Sequence, residues 1–207
     1  MMVPLIIDLA GRHVVIFGGG TVGLRKARYF CREAEVTVVS RSFLPEFSGL
    51  DLQCLEADLS VMDDPALAAL VGGAFLVVAA TSDREMNDRV GRAAREAGAH
   101  FNNAKGERGD TLIPSVVRGE EYLLAVSTGG ASPAVPRFLR EHLQATYPHL
   151  DTMIRVEARV RAALKQTVPD QAARAAVLRA VLRDPEAWAW LADGEDRAYE
   201  RIKERYL

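Results

Sequence analysis

The glycine turn Gly18-Gly19-Gly20-Thr21-Val22-Gly23 constrains this chain more than any other feature, because of what flanks it. The run His13-Val14-Val15-Ile16-Phe17 before it is short, β-branched and aromatic, and the run Leu24–Phe30 after it suits a helix. Val36-Thr37-Val38-Val39 follows about one helix later. Strand, glycine turn, helix and strand in this order raise G-x-G-x-x-G above a chance match and predict a dinucleotide site. Gly18 makes the tight turn, Gly20 lets backbone N–H groups approach a pyrophosphate, and Gly23 lets the helix pack close to the strand. The helix N-terminus offers the anion unpaired donors and partial positive charge. The plain alternative is a glycine-rich turn that binds nothing.

Bulk properties narrow the class. A chain of 207 residues suffices for one large domain or two small ones. Its net charge of −2 argues against binding nucleic acid or membrane by bulk electrostatics. No apolar run is long enough for a transmembrane helix. The start, Met1-Met2-Val3-Pro4, lacks the basic region of a signal peptide. Cys31 and Cys54 have no metal-type spacing and suggest buried thiols in a reducing cytoplasm.

Along the chain, Leu5–Asp8 reads as a lead-in and Leu52–Leu55 as a third strand. Asp64 and Pro65 read as the N-cap and first position of a helix over Ala66–Val71. Ala74–Ala80 is a continuous apolar run suited to a central parallel strand buried on both faces. A helix over Arg84–Ala97, stopped by Gly98, and a strand over His100–Asn103 follow. This alternation predicts an α/β, Rossmann-type, doubly wound parallel sheet over residues 1–112. Beyond Pro114, Ser115–Arg118 and Tyr122–Ser127 predict a hairpin, and Ser132-Pro133 predicts a capped helix through Thr146. These make a small α+β region over 113–150. Residues 151–207 read as a helical C-terminal domain interrupted near Pro169 and Pro185. Its arginines, among them Arg155, Arg159 and Arg174, suggest a solvated face or, more sharply, a polyanion surface.

The strings VVIFGGGTVGLRKAR, FLVVAATSDREMNDRV, LIPSVVRGE and LLAVSTGGASPAVPRFLRE cover most of residues 5–150. With them the chain resembles the precorrin-2 dehydrogenases, the dehydrogenase/chelatase half of siroheme synthase. The resemblance implies a Rossmann domain, a central dimerisation region giving a homodimer, and a helical C-terminal domain. It also implies NAD-dependent oxidation of precorrin-2, a tetrapyrrole, to sirohydrochlorin, with iron insertion in some relatives. The hairpin points to a dimer as well, since two-stranded hairpins are marginal alone.

Thr21 and Val22 supply the first N–H groups of the helix and stand where the family contacts NAD. Arg41 and Ser42 follow the second strand, where an acidic residue would mark NAD and an arginine accommodates a 2′-phosphate. That alone favours NADP; the family is associated with NAD, which is the first choice, with NADP as the alternative. Ala80 and Thr81 end the central strand, where a nicotinamide ribose would pass, and Asn87 lies on the helix beyond.

The main departure from the family is its aspartate after the fifth strand. Counting back from Pro114 puts Ala104 at that place, and one gap puts Lys105 there. Asp110 and Glu107 are the nearest acids and the candidate catalytic substitutes. The histidines read as structural, His100 being the one nearest the cleft loop, and no metal site is expected. A substrate rich in carboxylates makes Thr128, Arg108, Arg118 and Arg137 candidate substrate contacts. The expectation is a dehydrogenase with doubtful chelatase activity. The alternatives are a non-catalytic member that binds tetrapyrrole or nucleotide, and a different NAD(P)-dependent reductase on the same scaffold.

Overall fold

A computed structural model describes residues 2–207. The chain forms two compact units, one ending at Ile113 and the other spanning Pro114–Leu207.

The first unit is built on a five-stranded sheet in the order β3-β2-β1-β4-β5, every pairing parallel. The strands are β1 (His13–Phe17), β2 (Glu35–Ser40), β3 (Gln53–Glu56), β4 (Leu76–Ala79) and β5 (His100–Asn103). Helices α1 (Thr21–Phe30), α2 (Asp64–Val71) and α3 (Arg84–Glu96) make the crossovers. Alternate residues of a strand face opposite sides of a sheet. Val14 and Ile16 accordingly pack with Leu24, Ala27 and Phe30 of α1, whereas Val15 and Phe17 pack with Leu67, Val71, Val90 and Ala94 of α2 and α3. All four residues of β4 are buried, as a strand covered on both faces requires. The order reverses between β1 and β4, and ligands of such sheets bind beyond the carboxyl ends of the strands at that reversal.

The caps differ in detail from the sequence reading. Asp63, rather than Asp64, caps α2, its carboxylate accepting from Ala66 N at 2.9 Å, and Pro65 takes the second helical position. Leu5–Asp8 joins no sheet.

In the second unit, β6 (Ser115–Arg118) and β7 (Leu123–Val126) pair antiparallel, and α4 (Ala134–Thr146) packs on both. The residue before α4 is Pro133, which carries no side-chain cap; Ser132 Oγ accepts only a long 3.4 Å bond from Val135 N. Helices α5 (Leu150–Thr167), α6 (Gln171–Arg183), α7 (Pro185–Trp190) and α8 (Glu195–Tyr206) close around Met153, Val156, Val160, Leu164, Val181 and Ile202. Several of the C-terminal arginines are engaged within this unit, Arg174 with the carbonyls of Val168 and Pro169 at 2.7 Å among them. Arg159 donates to Asp196 at 2.8 Å and lies 4.0 Å over the Tyr199 ring, and Arg155 donates to Glu195 at 2.9 Å. Both acids sit in the first turn of α8, where a carboxylate also meets the positive end of the helix.

Lys26 gives the fold a pH dependence. Burial, and then the charge of Arg25, hold its ammonium down at about 8. Below that pH the lysine is charged in both folded and unfolded chains, and the fold bears the cost of burying it. Between about 8 and the ordinary lysine value of 10.5 the unfolded chain binds more protons, so stability rises with pH. Lys26→Met should therefore melt above wild type at pH 7, with the gap shrinking as pH rises through that window. A gap independent of pH in thermal melts would show that the charge is not the cause.

Candidate functional site

The glycine turn is shaped by close contacts that side chains would block. Gly18 has φ +120°, and a Cβ there would stand 2.6 Å from the Ala80 carbonyl oxygen. A Cβ on Gly23 would overlap the Gly18 carbonyl oxygen, and one on Gly19 would overlap that of Ser42. At Gly20 an added Cβ would meet nothing within 4 Å. The protein itself thus requires Gly18, Gly19 and Gly23, while the space beside Gly20 is open. Hydrogen bonds pin the turn to its neighbours: Gly18 N donates to Val39 O at 2.9 Å, and Leu44 N donates to Gly19 O at 3.1 Å. Gly20 precedes α1, no side chain caps that helix, and its first turn holds no acidic residue. The partial positive charge of its N-terminus is therefore not offset locally.

The turn forms one wall of a cleft of about 500 Å³. The other walls are Val39 and Ser40 at the end of β2 with Arg41–Leu44 beyond it, Ala57–Ser60 after β3, Ala80–Asp83 after β4, and Met86 of α3. Of the residues singled out for a nucleotide, Gly18, Gly20, Thr21, Val22, Arg41, Ser42, Ala80 and Thr81 line this cleft. Gly23 lies beneath the turn and acts through packing.

Asp58 and Ser60 belong to the same cleft and escaped the sequence reading. The third strand runs to Glu56, one residue past the expected Leu55. Residues just beyond the carboxyl end of a parallel strand face the crevice; that rule, applied to β3, would have found them. Two hydrogen bonds from Ser60, and then the nearby Arg41, hold the Asp58 carboxyl below its ordinary value.

Asn87 is a buried tie rather than a surface amide. It is wholly buried, and its oxygen accepts from Thr81 N at 3.1 Å and Thr81 Oγ1 at 2.6 Å. Its nitrogen donates to Thr81 O at 3.2 Å and Lys105 O at 3.0 Å. It fixes the end of β4 against the loop after β5. Such a group costs little when every bond is made and far more when one is lost.

That loop does not bring the two candidate acids to the cleft. Asp110 accepts from Phe101 N at 2.8 Å and from the Thr111 hydroxyl at 2.9 Å, which places it beside the early half of β5, away from the strand's carboxyl end. Thr111 N donates to Phe101 O at 3.0 Å, so the chain runs back along this edge strand and covers its open hydrogen bonds. Glu107 is exposed, its carboxylate 3.9 Å from Arg95, and its amide donates to Asp88 at 2.7 Å. Neither lines the cleft. Ala104 is exposed just past β5, its amide donating to Ala79 O at 2.9 Å. Lys105 Nζ donates to the carbonyl of Ser82, a residue of the cleft wall, at 3.2 Å.

The remaining candidates lie elsewhere. Arg108 points at Met2 Sδ. Arg118 ends β6, and Arg137 pairs with Glu141 at 2.8 Å on α4. The Thr128 hydroxyl donates to Ser132 O at 2.7 Å and accepts from Ser132 N at 3.1 Å, which commits it to its own turn. His100 is exposed and sits edge-on to Phe75. Among the described residues, no group of three or more His, Cys, Asp or Glu side chains is placed to hold a metal ion.

Comparison with known proteins agrees with this architecture. Residues 5–115 match the family model described as "Putative NAD(P)-binding". Over 203 residues the chain is 36% identical to a precorrin-2 dehydrogenase of Methanosarcina barkeri, covering 96% of this chain and 90% of that protein. The chain belongs to the precorrin-2 dehydrogenase family. It is also 33% identical over 220 residues to siroheme synthase 2 of Aeromonas hydrophila, where it spans 46% of that longer protein. A solved structure named "SirC, precorrin-2 dehydrogenase" shares the fold, with a TM-score of 0.69 at 23% identity over 98% of this chain and all of that one.

The cleft suits the dinucleotide of an NAD(P)-binding family. The space at Gly20 and the uncapped end of α1 fit an anion. When bound, the nicotinamide supplies hydride acceptance, and the protein supplies position and electrostatics.

Gly20 and Gly23 separate fold from binding. Gly20→Asp should fold as wild type, because nothing in the protein occupies that space, yet lose nucleotide affinity through clash and charge repulsion. Gly23→Ala should instead lower the melting temperature, by an overpacking cost of about 1–3 kcal/mol. Circular dichroism melts and nucleotide titration distinguish the two; unchanged affinity in a folded Gly20→Asp protein would show that the nucleotide binds elsewhere.

Proposed function

We propose that this protein is an NAD-dependent dehydrogenase that oxidises precorrin-2 to sirohydrochlorin in siroheme biosynthesis. The observation that carries the reading is an intact nucleotide cleft at the reversal of the sheet, in a chain similar along almost its whole length to a precorrin-2 dehydrogenase. That likeness favours an enzyme over a member that only binds tetrapyrrole or nucleotide. The glycine turn and the start of α1 hold the pyrophosphate, and Ala80 and Thr81, fixed by Asn87, bound the nicotinamide half. Cys31 is half-buried and Cys54 exposed, rather than buried as the sequence suggests; both are free thiols, which suits a reducing cytoplasm.

Oxidation removes a hydride and a proton from the macrocycle. The hydride needs chiefly a positioned acceptor. The proton is a separate matter, because Ala104 leaves an exposed methyl where a carboxylate is expected and Asp110 and Glu107 are engaged elsewhere. Dehydrogenation without a carboxylate base is therefore our reading, with iron insertion absent. Under anaerobic conditions the wild type with NAD should yield the sirohydrochlorin spectrum, and added ferrous iron should yield no siroheme above the uncatalysed rate. Ala104→Asp should raise the dehydrogenase rate, by up to ~10²-fold if base catalysis is what the alanine lacks. Asp110→Asn and Glu107→Gln should leave the rate unchanged; a collapse of activity in either would return that acid to the mechanism.

A homodimer through residues 113–146 belongs to the same reading. Val135, Phe138 and Leu139 of α4 are exposed, and among the described residues the sheet it packs on has two strands. A contiguous exposed apolar face of this kind marks an association surface. Sedimentation at micromolar concentration should give a dimer, and Phe138→Glu should weaken it; a wild-type monomer would refute this.

A further inference from the structure

The ends of β2 and β3 leave the sheet together. Ser40 is in register with Glu56, and Ala57 N donates to Ser40 O at 3.0 Å. One residue later on β2 comes Arg41, and two residues past β3 comes Asp58, both on the cleft wall. Arg41 Nη1 lies 3.8 Å from Asp58 Oδ2. The other oxygen, Oδ1, accepts the Ser60 amide at 2.9 Å and the Ser60 hydroxyl at 2.6 Å. The two partners are not equally fixed. Asp58 is anchored by its own loop, while the Arg41 side chain is 73% exposed and, among the described residues, ends in this ion pair.

This pairing changes what the arginine offers. A lone arginine beyond β2 attracts a 2′-phosphate, the feature that separates NADP from NAD. Here the guanidinium already faces a carboxylate, so a phosphate arriving there would have to displace Asp58 or sit beside it as a like charge. Asp58 cannot easily swing aside without breaking both Ser60 bonds. A ribose hydroxyl, in contrast, is a donor that a carboxylate accepts.

We propose that Asp58, held by Ser60 and paired with Arg41, makes this cleft select NAD over NADP. The carboxylate that such folds ordinarily carry at the end of the second strand is here supplied from the end of the third. The proposal rests on the nucleotide reading above.

Isothermal titration of the full chain with NAD and with NADP tests it without any turnover. Wild type should bind NAD more tightly than NADP. Asp58→Asn should raise NADP affinity about tenfold or more relative to NAD, since it frees the guanidinium and removes the repulsion. The gain should vanish in the Asp58→Asn/Arg41→Ala double variant. Arg41→Ala alone, on an exposed side chain, should not improve NADP binding. Equal wild-type affinities for the two nucleotides, or an Asp58→Asn ratio within about twofold of wild type, would overturn the assignment. Failure of wild type to bind either nucleotide would overturn the nucleotide reading itself, and this proposal with it.

Discussion

The contact of Gly23 with the Gly18 carbonyl oxygen is the constraint on which the site depends. It brings the first turn of α1 against the end of β1 with no side chain between them. Two consequences follow from one close approach. The uncapped N-terminus of α1 opens on the cleft, which Gly20, Thr21 and Val22 line. The strand ends on either side, β2 and β4, are drawn close enough to be stitched to the turn through Gly18 N–Val39 O and Phe17 O–Ala80 N. At Gly18, Gly19 and Gly23 the backbone is packed too tightly for any side chain, whereas the space at Gly20 stays open to the cleft.

The second anchor is polar. Asn87 sits on the opposite side of β4 from that turn's helix and makes four hydrogen bonds, three to Thr81 and one to Lys105. In a buried site such a set behaves as a unit. It ties the end of β4 to the loop after β5, so the cleft wall at Thr81 is fixed by an amide rather than by apolar packing. The apolar layers of the sheet stop one residue earlier, at Ala79 and Ala80.

The parts of this design that were legible in the sequence are those governed by local rules. Glycine spacing, apolar runs and proline positions located the sheet, its crossovers and most of the cleft, because each depends on residues within one turn or strand. What depended on chain reversal was hidden. Nothing local fixes the path of the KGERGD loop, so Asp110 and Glu107 could be named only as the nearest acids, able to substitute if the loop folded back to the site; Asp110 instead accepts the amide of Phe101. The same holds for Arg155 and Arg159, whose partners lie about forty residues on, at the start of α8. Asp58 was missed for a smaller reason: a strand boundary short by one residue kept its loop out of the crevice.

The loop after β5 also explains how a carboxylate can be absent without loss of the architecture. Its shape is set by Asn103, Asp88 and Asp110 through bonds to main-chain groups. Ala104 contributes only its amide, to Ala79 O. A side chain at 104 is therefore free to vary with the chemistry, since no packing or polar network depends on it. Position 87 is the reverse case: its side chain carries the geometry of two strand ends, and no change there can be confined to catalysis. The scaffold thus separates residues whose packing and hydrogen bonds shape the cleft, such as Gly23 and Asn87, from a position on the loop after β5 that contributes only its main chain.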